Sequence, residues 1–190
     1  MKLILVRHGE TIENSLGIIQ GQTLPGTLSL IGLKQAEAVA LRLRNEKISA
    51  VYSSDLQRAA NTAKKILIYH SGASLTYVEE LRERDFGSFG GRKKADVESR
   101  ESSPEVETYD DMKIRARKIL NQVYPKYKGK TILFVTHGAF LLAAVSEILG
   151  IPHDDILNQH GKFKNGSISI FEIAQNNKTM LHNCTEHLQQ

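Results

Sequence analysis

Apolar residues run without a break from Leu3 to Val6, and the chain turns polar at Arg7. Such a run predicts a short strand buried on both faces. Residues 9–28 lack periodicity and contain Gly9, Gly17, Gly21, Pro25 and Gly26. They read as a long irregular loop, a kind of segment that often carries function. Leu33, Ala36, Val39, Ala40 and Leu43 then follow helical spacing, which predicts a helix over 30–43 with Ser29 as its N-cap. A strand is expected around 48–52. Ser53-Ser54-Asp55 should cap a helix running to about Ile68, with Ala59, Ala63, Ile66 and Leu67 inward. Leu75–Val78 is a further short strand. Residues 84–107, rich in Gly, Ser and charge, read as a second long loop with room for a helical turn. Beyond it the pattern predicts a helix over about 109–124, a strand over 131–135, and a helix over 140–149 closed by Gly150-Ile151-Pro152. Ser167–Ile173 alternates like a strand, and Lys178–Leu181 should pair with it across Asn176-Asn177. The tail through Gln190 reads as frayed.

Strands alternating with helices predict an α/β fold with a mostly parallel sheet. Ligands of such sheets bind at the carboxyl ends of the strands. At 190 residues, with no repeat and no linker, a single domain over 1–190 is expected. A composition 41% hydrophobic and 24% charged excludes general disorder. The formal charge of +4 suits an anionic substrate but is too small to argue for nucleic acid, and no basic stripe with interleaved aromatics is present. The densest basic cluster, Arg92-Lys93-Lys94, is followed by Asp96, Glu98 and Glu101. It reads first as a solvated loop and second as a phosphate-steering patch. Cys184 is the only cysteine, so no internal disulfide can form, which fits a reducing cytoplasm. Leu3–Val6 is too short for a signal core and no stretch reaches membrane-spanning length. A cytoplasmic protein without membrane or nucleic-acid partners, monomeric or homodimeric, is therefore expected.

Three strands end on one chemical theme. The first leads into Arg7-His8-Gly9-Glu10-Thr11, the second through Ser53-Ser54-Asp55 to Arg58, and the strand over 131–135 into Thr136-His137-Gly138. Each residue alone has a bland explanation: a histidine after a strand is commonly structural, and an arginine on a helix commonly lies at the surface. Two strands that both end apolar-x-His-Gly shift the balance. If the strands lie side by side, two imidazoles and two guanidiniums meet at one edge beside helix N-termini, an anion site suited to phosphate. Phosphoryl transfer needs an aligned nucleophile, cations on the equatorial oxygens and an acid for the departing alkoxide. Histidine can be the nucleophile, and adjacent arginines should keep it unprotonated. A zinc site at His8 and His137 lacks a third ligand with suitable spacing, and Arg7 would repel the cation. His182-x-Cys184-x-x-His187 is a second, weaker metal pattern.

Residues 5–11, Leu-Val-Arg-His-Gly-Glu-Thr, resemble the signature of the histidine phosphatase superfamily, which includes the phosphoglycerate mutases. Residues 53–59, 81–87 and 136–138 resemble its later motifs in the right order, so the resemblance spans nearly the whole chain. It implies a three-layer, phosphoglycerate mutase-like fold with helices on both faces of the sheet. It also implies site roles. His8 would be the phosphorylated nucleophile. Arg7, Arg58 and His137 would hold the transferring phosphoryl group, helped by the backbone N–H of Gly138. Glu83 would protonate the leaving group and then activate water, although Glu79 and Glu80 lie close by. Asn14, Gln20 and Gly21 would complete the pocket. No metal and no organic cofactor would be needed.

Mutases resemble this chain in the core, but they carry paired arginines after the acid. Here residues 87–109 offer Arg92-Lys93-Lys94 and an isolated Arg100. Asp85 and Phe86 stand where mutases have His and Tyr. The resemblance therefore favours a phosphomonoester hydrolase acting on a small phosphorylated metabolite. Phe86, Phe89 and Phe140 are candidates for an apolar rim, although core or loop packing is the first reading of each alone. A 2,3-bisphosphoglycerate-dependent mutase is the enzymatic alternative. A catalytically weak binding module on the same fold is the alternative from another class.

Overall fold

The computed structural model describes residues 1–97 and 103–189. The sheet has strands β1 (Lys2–Arg7), β2 (Ile48–Ser53), β3 (Ser74–Tyr77), β4 (Thr131–Thr136), β5 (Ile168–Glu172) and β6 (Lys178–Cys184). Their order is β3-β2-β4-β1-β5-β6. The first four run parallel, while β5 and β6 are antiparallel additions at one side. Among the described residues the α-helices are α1 (Ile12–Ser15), α2 (Leu30–Leu43), α3 (Gln57–Leu67), α4 (Tyr109–Val123), α5 (Gly138–Leu149) and α6 (His153–His160).

The period of two along each strand splits the core into two layers. Leu3, Leu5, Ile132, Phe134 and Phe171 point to one face, where they pack with Met112, Ala116 and Ile119 of α4 and Leu141 and Val145 of α5. Ile4, Val6, Leu133, Val135 and Ile168 point to the other, against Val39 and Leu43 of α2 and Ala63 and Ile66 of α3. Both faces of β1 and β4 are thus covered, which is why their sequences are continuously apolar rather than alternating. This is the expected α/β architecture, with helices on both sides of a mostly parallel sheet. No helix among the described residues is long and apolar enough to cross a membrane.

Several local expectations are corrected. The loop 9–28 contains α1, nucleated by a capping box in which Thr11 and Asn14 bond each other's backbone N–H. The triplet 53–55 does not cap α3. Leu56 is the N-cap residue, and Ser54 Oγ instead accepts the N–H of Leu56 to shape the preceding turn. Helix α5 starts at Gly138, two residues before its first large apolar side chain. Helix α6 escapes the sequence pattern because Ile156 is its only buried residue. Up to Gln189 the C-terminal segment is not frayed: β6 reaches Cys184, and a 3-10 turn over Glu186–Leu188 buries His187, whose Nε2 bonds Gly166 O at 2.9 Å, while Gln190 lies outside the described residues. The loop 84–107 holds single 3-10 turns at Gly87–Phe89 and Lys94–Asp96. Glu98, Arg100 and Glu101 lie outside the described residues.

One contact ties the loop after β1 to the start of α2. A Cβ on Gly32 would lie 1.9 Å from Glu10 O, and a Cβ on Gly9 would lie 2.4 Å from Gly32 O. Alanine normally favours a helix by ~1 kcal/mol over glycine. Here the neighbour is backbone and cannot yield cheaply, so Gly32→Ala should destabilise by about 1–3 kcal/mol in urea unfolding. It should also lower activity, because Gly9 and Glu10 directly follow His8. A raised unfolding midpoint would show that the close approach does not exist.

Candidate active site

The carboxyl ends of β2, β4 and β1 are adjacent, with Ser53 paired to Val135 and Thr136 to Arg7. Arg7, His8, Arg58, Glu83 and Gly138 all line one cavity of about 240 Å³, together with Asn14, Gln20 and Gly21. His137 is fully buried beside them, its ring centroid 5.1 Å from that of His8. The juxtaposition expected from three separate strand ends is therefore present.

Hydrogen bonds set the two imidazoles in opposite tautomers. His8 Nδ1 lies 2.7 Å from Gly9 O. A carbonyl only accepts, so Nδ1 carries the proton and Nε2 presents a lone pair. At His137 the situation reverses. Arg58 Nε donates to His137 Nδ1 at 3.1 Å, so the proton sits on Nε2, which is buried without a protein acceptor. One ring offers a nucleophilic nitrogen and the other a donor for an anionic oxygen. Burial, followed by the charges of Arg58 and Arg7, holds His8 well below the usual histidine range. Burial and the same arginines do likewise for His137. Both rings are neutral near pH 7.

The arginines are anchored by carbonyls. Arg58 is 1% exposed, and its Nη1 donates to Leu24 O at 2.8 Å while Nη2 donates to Gly21 O at 2.8 Å. Burial lowers its pKa to about 10, which leaves it charged at neutral pH. Arg7 Nη1 donates to Phe163 O at 2.6 Å, while Nε is buried without a protein partner. A Cβ on Gly138 would lie 3.3 Å from that Nε, so glycine brings the N-terminus of α5 close to the guanidinium. Gly21 thus serves the site through its carbonyl, as a holder of Arg58.

Glu83 is seated at the same helix end. Its Oε1 accepts N–H groups of Arg84 at 3.0 Å, Ala139 at 3.1 Å and Phe140 at 3.2 Å, which leaves Oε2 for the cavity. Glu79 and Glu80 point elsewhere, in ion pairs with Arg82 and Lys118. The segment before Glu83 is clamped from α4. Arg115 Nη1 donates to Glu80 O at 2.7 Å and Arg82 O at 3.0 Å, while its Nε pairs with Glu107 at 2.7 Å over the ring of Phe140.

Asn14 Oδ1 accepts N–H groups from Thr11 and from Asn165 Nδ2 at 3.1 Å, so its own amide N–H remains for a ligand. Gln20 is 5% exposed, with Oε1 unpartnered. Sequence reasoning missed Asn165, which also donates to His8 O at 3.1 Å, and Thr62, whose Oγ accepts the N–H of Gly9 at 3.2 Å. The Asn165-Gly166 dipeptide was the one available turn signal. The aromatic rim is reduced to Phe86. Phe140 belongs to the core, and Phe89 lies under Arg92 outside the cavity. Of the basic cluster, only Lys94 lines the cavity. The pattern 182–187 does not converge on a metal. His182 packs against His160 and Phe163, whereas His187 bonds Gly166 O. Among the described residues no group of three or more His, Cys, Asp or Glu is placed to hold a metal ion.

The depressed histidines make stability depend on pH. Below about 6.5 the unfolded chain takes up protons that native His8 and His137 refuse. Their contribution is complete above that pH and is lost as pH falls. The melting temperature should drop between pH 7.5 and 5, with a shallower slope in His8→Asn. An equal slope in the variant would contradict the buried neutral state of His8. His70, His182 and His187 are depressed in the same direction, so the slope should not vanish.

The chain has counterparts among known proteins. The profile of the histidine phosphatase superfamily (branch 1) matches residues 3–185. A metal-independent phosphoserine phosphatase of Arabidopsis thaliana is 35% identical over 188 residues, covering 90% of this chain and 76% of its own. A probable phosphoglycerate mutase GpmB of Yersinia pestis is 34% identical over 166 residues, covering 80% of this chain and 76% of its own. The crystal structure of a phosphoserine phosphatase of Entamoeba histolytica in complex with 3-phosphoglyceric acid superposes with a TM-score of 0.83 at 27% identity, covering 98% of both chains. The match of family profile, sequence and fold over nearly the full length places this chain in the histidine phosphatase superfamily.

Proposed function

We propose that the protein hydrolyses small phosphomonoesters through a phosphohistidine intermediate, without metal or organic cofactor. The observation that carries this reading is the pair of neutral imidazoles in opposite tautomers inside an arginine cradle. His8 Nε2 attacks phosphorus as the ester P–O bond breaks. Arg7, Arg58, His137 Nε2–H and Gly138 N–H bear the charge of the equatorial oxygens. Glu83, in its acid form, protonates the leaving oxygen. As carboxylate it then takes a proton from water, whose oxygen attacks phosphorus. The P–N bond breaks, inorganic phosphate departs, and His8 returns to its neutral form.

The phosphatase relatives in sequence and structure support hydrolysis over mutase chemistry, for which the Yersinia relative speaks. Assembly of the full set in one cavity supports an enzyme over a binding module. A cavity of about 240 Å³ suits a small metabolite, since pockets for drug-sized ligands run ~300–1,000 Å³. The unpaired Cys184 supports a reducing compartment such as the cytoplasm.

Hydrolysis of para-nitrophenyl phosphate should persist in excess chelator at nearly the untreated rate, because the site supplies its own cations. His8→Ala should remove turnover while the fold persists by circular dichroism, and an acid-free quench of the native protein should trap acid-labile phosphate on His8. Collapse in chelator that magnesium restores, or substantial turnover by His8→Ala, would overturn the mechanism.

Leaving groups test the acid. An alkoxide needs protonation as it departs, whereas nitrophenolate needs little. In single-turnover measurements Glu83→Gln should slow phosphorylation by alkyl phosphates ~10²–10⁴-fold, and much less with para-nitrophenyl phosphate. Equal slowing for both would remove Glu83 from this role.

A further inference from the structure

The cavity holds more positive charge than one phosphoryl group requires. Among the described residues its lining includes five basic residues, Arg7, Arg58, Arg84, Lys94 and Lys162, against a single acidic one, Glu83. Arg7 and Arg58 are committed to the transferring group. Arg84 is held through Nε at Glu107 O, 2.6 Å away, and lies against the rings of Phe86 and Tyr109. Lys162 differs from these. Its ammonium makes no hydrogen bond or ion pair with the described residues.

The backbone that presents Lys162 is firmly built. Asn183 Nδ2 donates to Lys162 O at 3.2 Å, and Asn183 Oδ1 accepts the N–H of Lys164 at 2.9 Å. Asn183 itself has φ 46°, the one non-glycine among the described residues with positive φ. Such a conformation costs energy and persists where surrounding structure demands it. Phe163 O receives Arg7 Nη1, Asn165 Nδ2 donates to His8 O, and Gly166 N–H is shared by Arg7 O and His8 O. Each residue from 162 to 166 is therefore tied to Arg7, to His8 or to Asn183. Lys162 sits next to the residue that anchors Arg7 and lines the same cavity as His8 and Glu83.

We propose that Lys162 is a specificity residue that binds a second anionic group, carboxylate or phosphate, on the leaving group of the substrate. This rests on the phosphomonoesterase reading and narrows its substrate class to phosphomonoesters with a remote negative charge. Ile18, Ile19, Leu142 and Leu157 also line the cavity and suit a short carbon skeleton. The contact forms on a part of the substrate remote from the reacting bond. It should thus act mainly on KM.

The test compares propyl phosphate, 3-phosphooxypropanoate and propane-1,3-diyl bisphosphate, with para-nitrophenyl phosphate as the common reference. The native protein should prefer at least one anionic ester over propyl phosphate by about tenfold in kcat/KM, the scale of a charge-assisted hydrogen bond. Which ester is preferred identifies the anion. Lys162→Gln should bring that ratio close to one, chiefly through KM, and Lys162→Arg should keep most of it. Absence of a preference in the native protein, or a preference that Lys162→Gln leaves intact, overturns the subsite while hydrolysis of the nitrophenyl ester sustains the phosphatase reading. Failure to hydrolyse any of the four esters overturns both.

Discussion

The site depends on one buried contact, the donation of Arg58 Nε to His137 Nδ1. A guanidinium at 1% exposure is costly unless its donors are satisfied. Carbonyls of Gly21, Leu24 and Pro25 satisfy them, and in doing so hold the irregular loop between β1 and α2 over the sheet edge. The same guanidinium fixes the tautomer of His137 and helps keep His8 neutral. Loop closure, proton placement and nucleophile availability therefore share one residue. Lysine could not replace it, since a point ammonium cannot reach an imidazole and three carbonyls in one plane.

Around that contact the remaining functional groups are held by segments with little regular structure. Glu83 sits between Arg115 of α4, which grips the preceding carbonyls, and the N-terminus of α5, which grips its carboxylate. Thr136 Oγ adds a bond to Leu81 O at 2.6 Å. Strand β1 is fastened on its other side by residues 163–166. Pre-organisation of this kind matters because phosphoryl transfer draws its acceleration from positioning and fixed charge rather than from covalent assistance alone.

The mistaken local expectations have a common cause. Periodicity reports only faces that are buried by many apolar residues. Helix α6 buries Ile156 alone, and the C-terminal turn buries a histidine, so neither left an apolar pattern. The cap expected at 53–55 failed because Ser54 and Asp55 found other partners, the N–H of Leu56 and the guanidinium of Arg82. Phe140 and Phe89 follow the first reading given to each, one packed in the core and the other beneath Arg92 in its loop, and Phe86 alone of the three lines the cavity.

Local chemistry in the chain was enough to determine the alternation of strands and helices and to single out Arg7, His8, Arg58 and His137 as groups that meet at the strand ends. Those follow from apolar runs ending in polar triplets, a signal carried by neighbours in sequence. The motif resemblance favoured Glu83 over Glu79 and Glu80, but only tertiary structure supplies the reason it faces the cavity, the N–H groups of Ala139 and Phe140 more than fifty positions away. Tertiary structure alone revealed the tautomers, which are set by Gly9 O and Arg58 Nε, and the places of Asn165 and Lys162. A hydrogen bond is directional and short, so which groups share one is settled only when distant segments have been brought within about 3 Å.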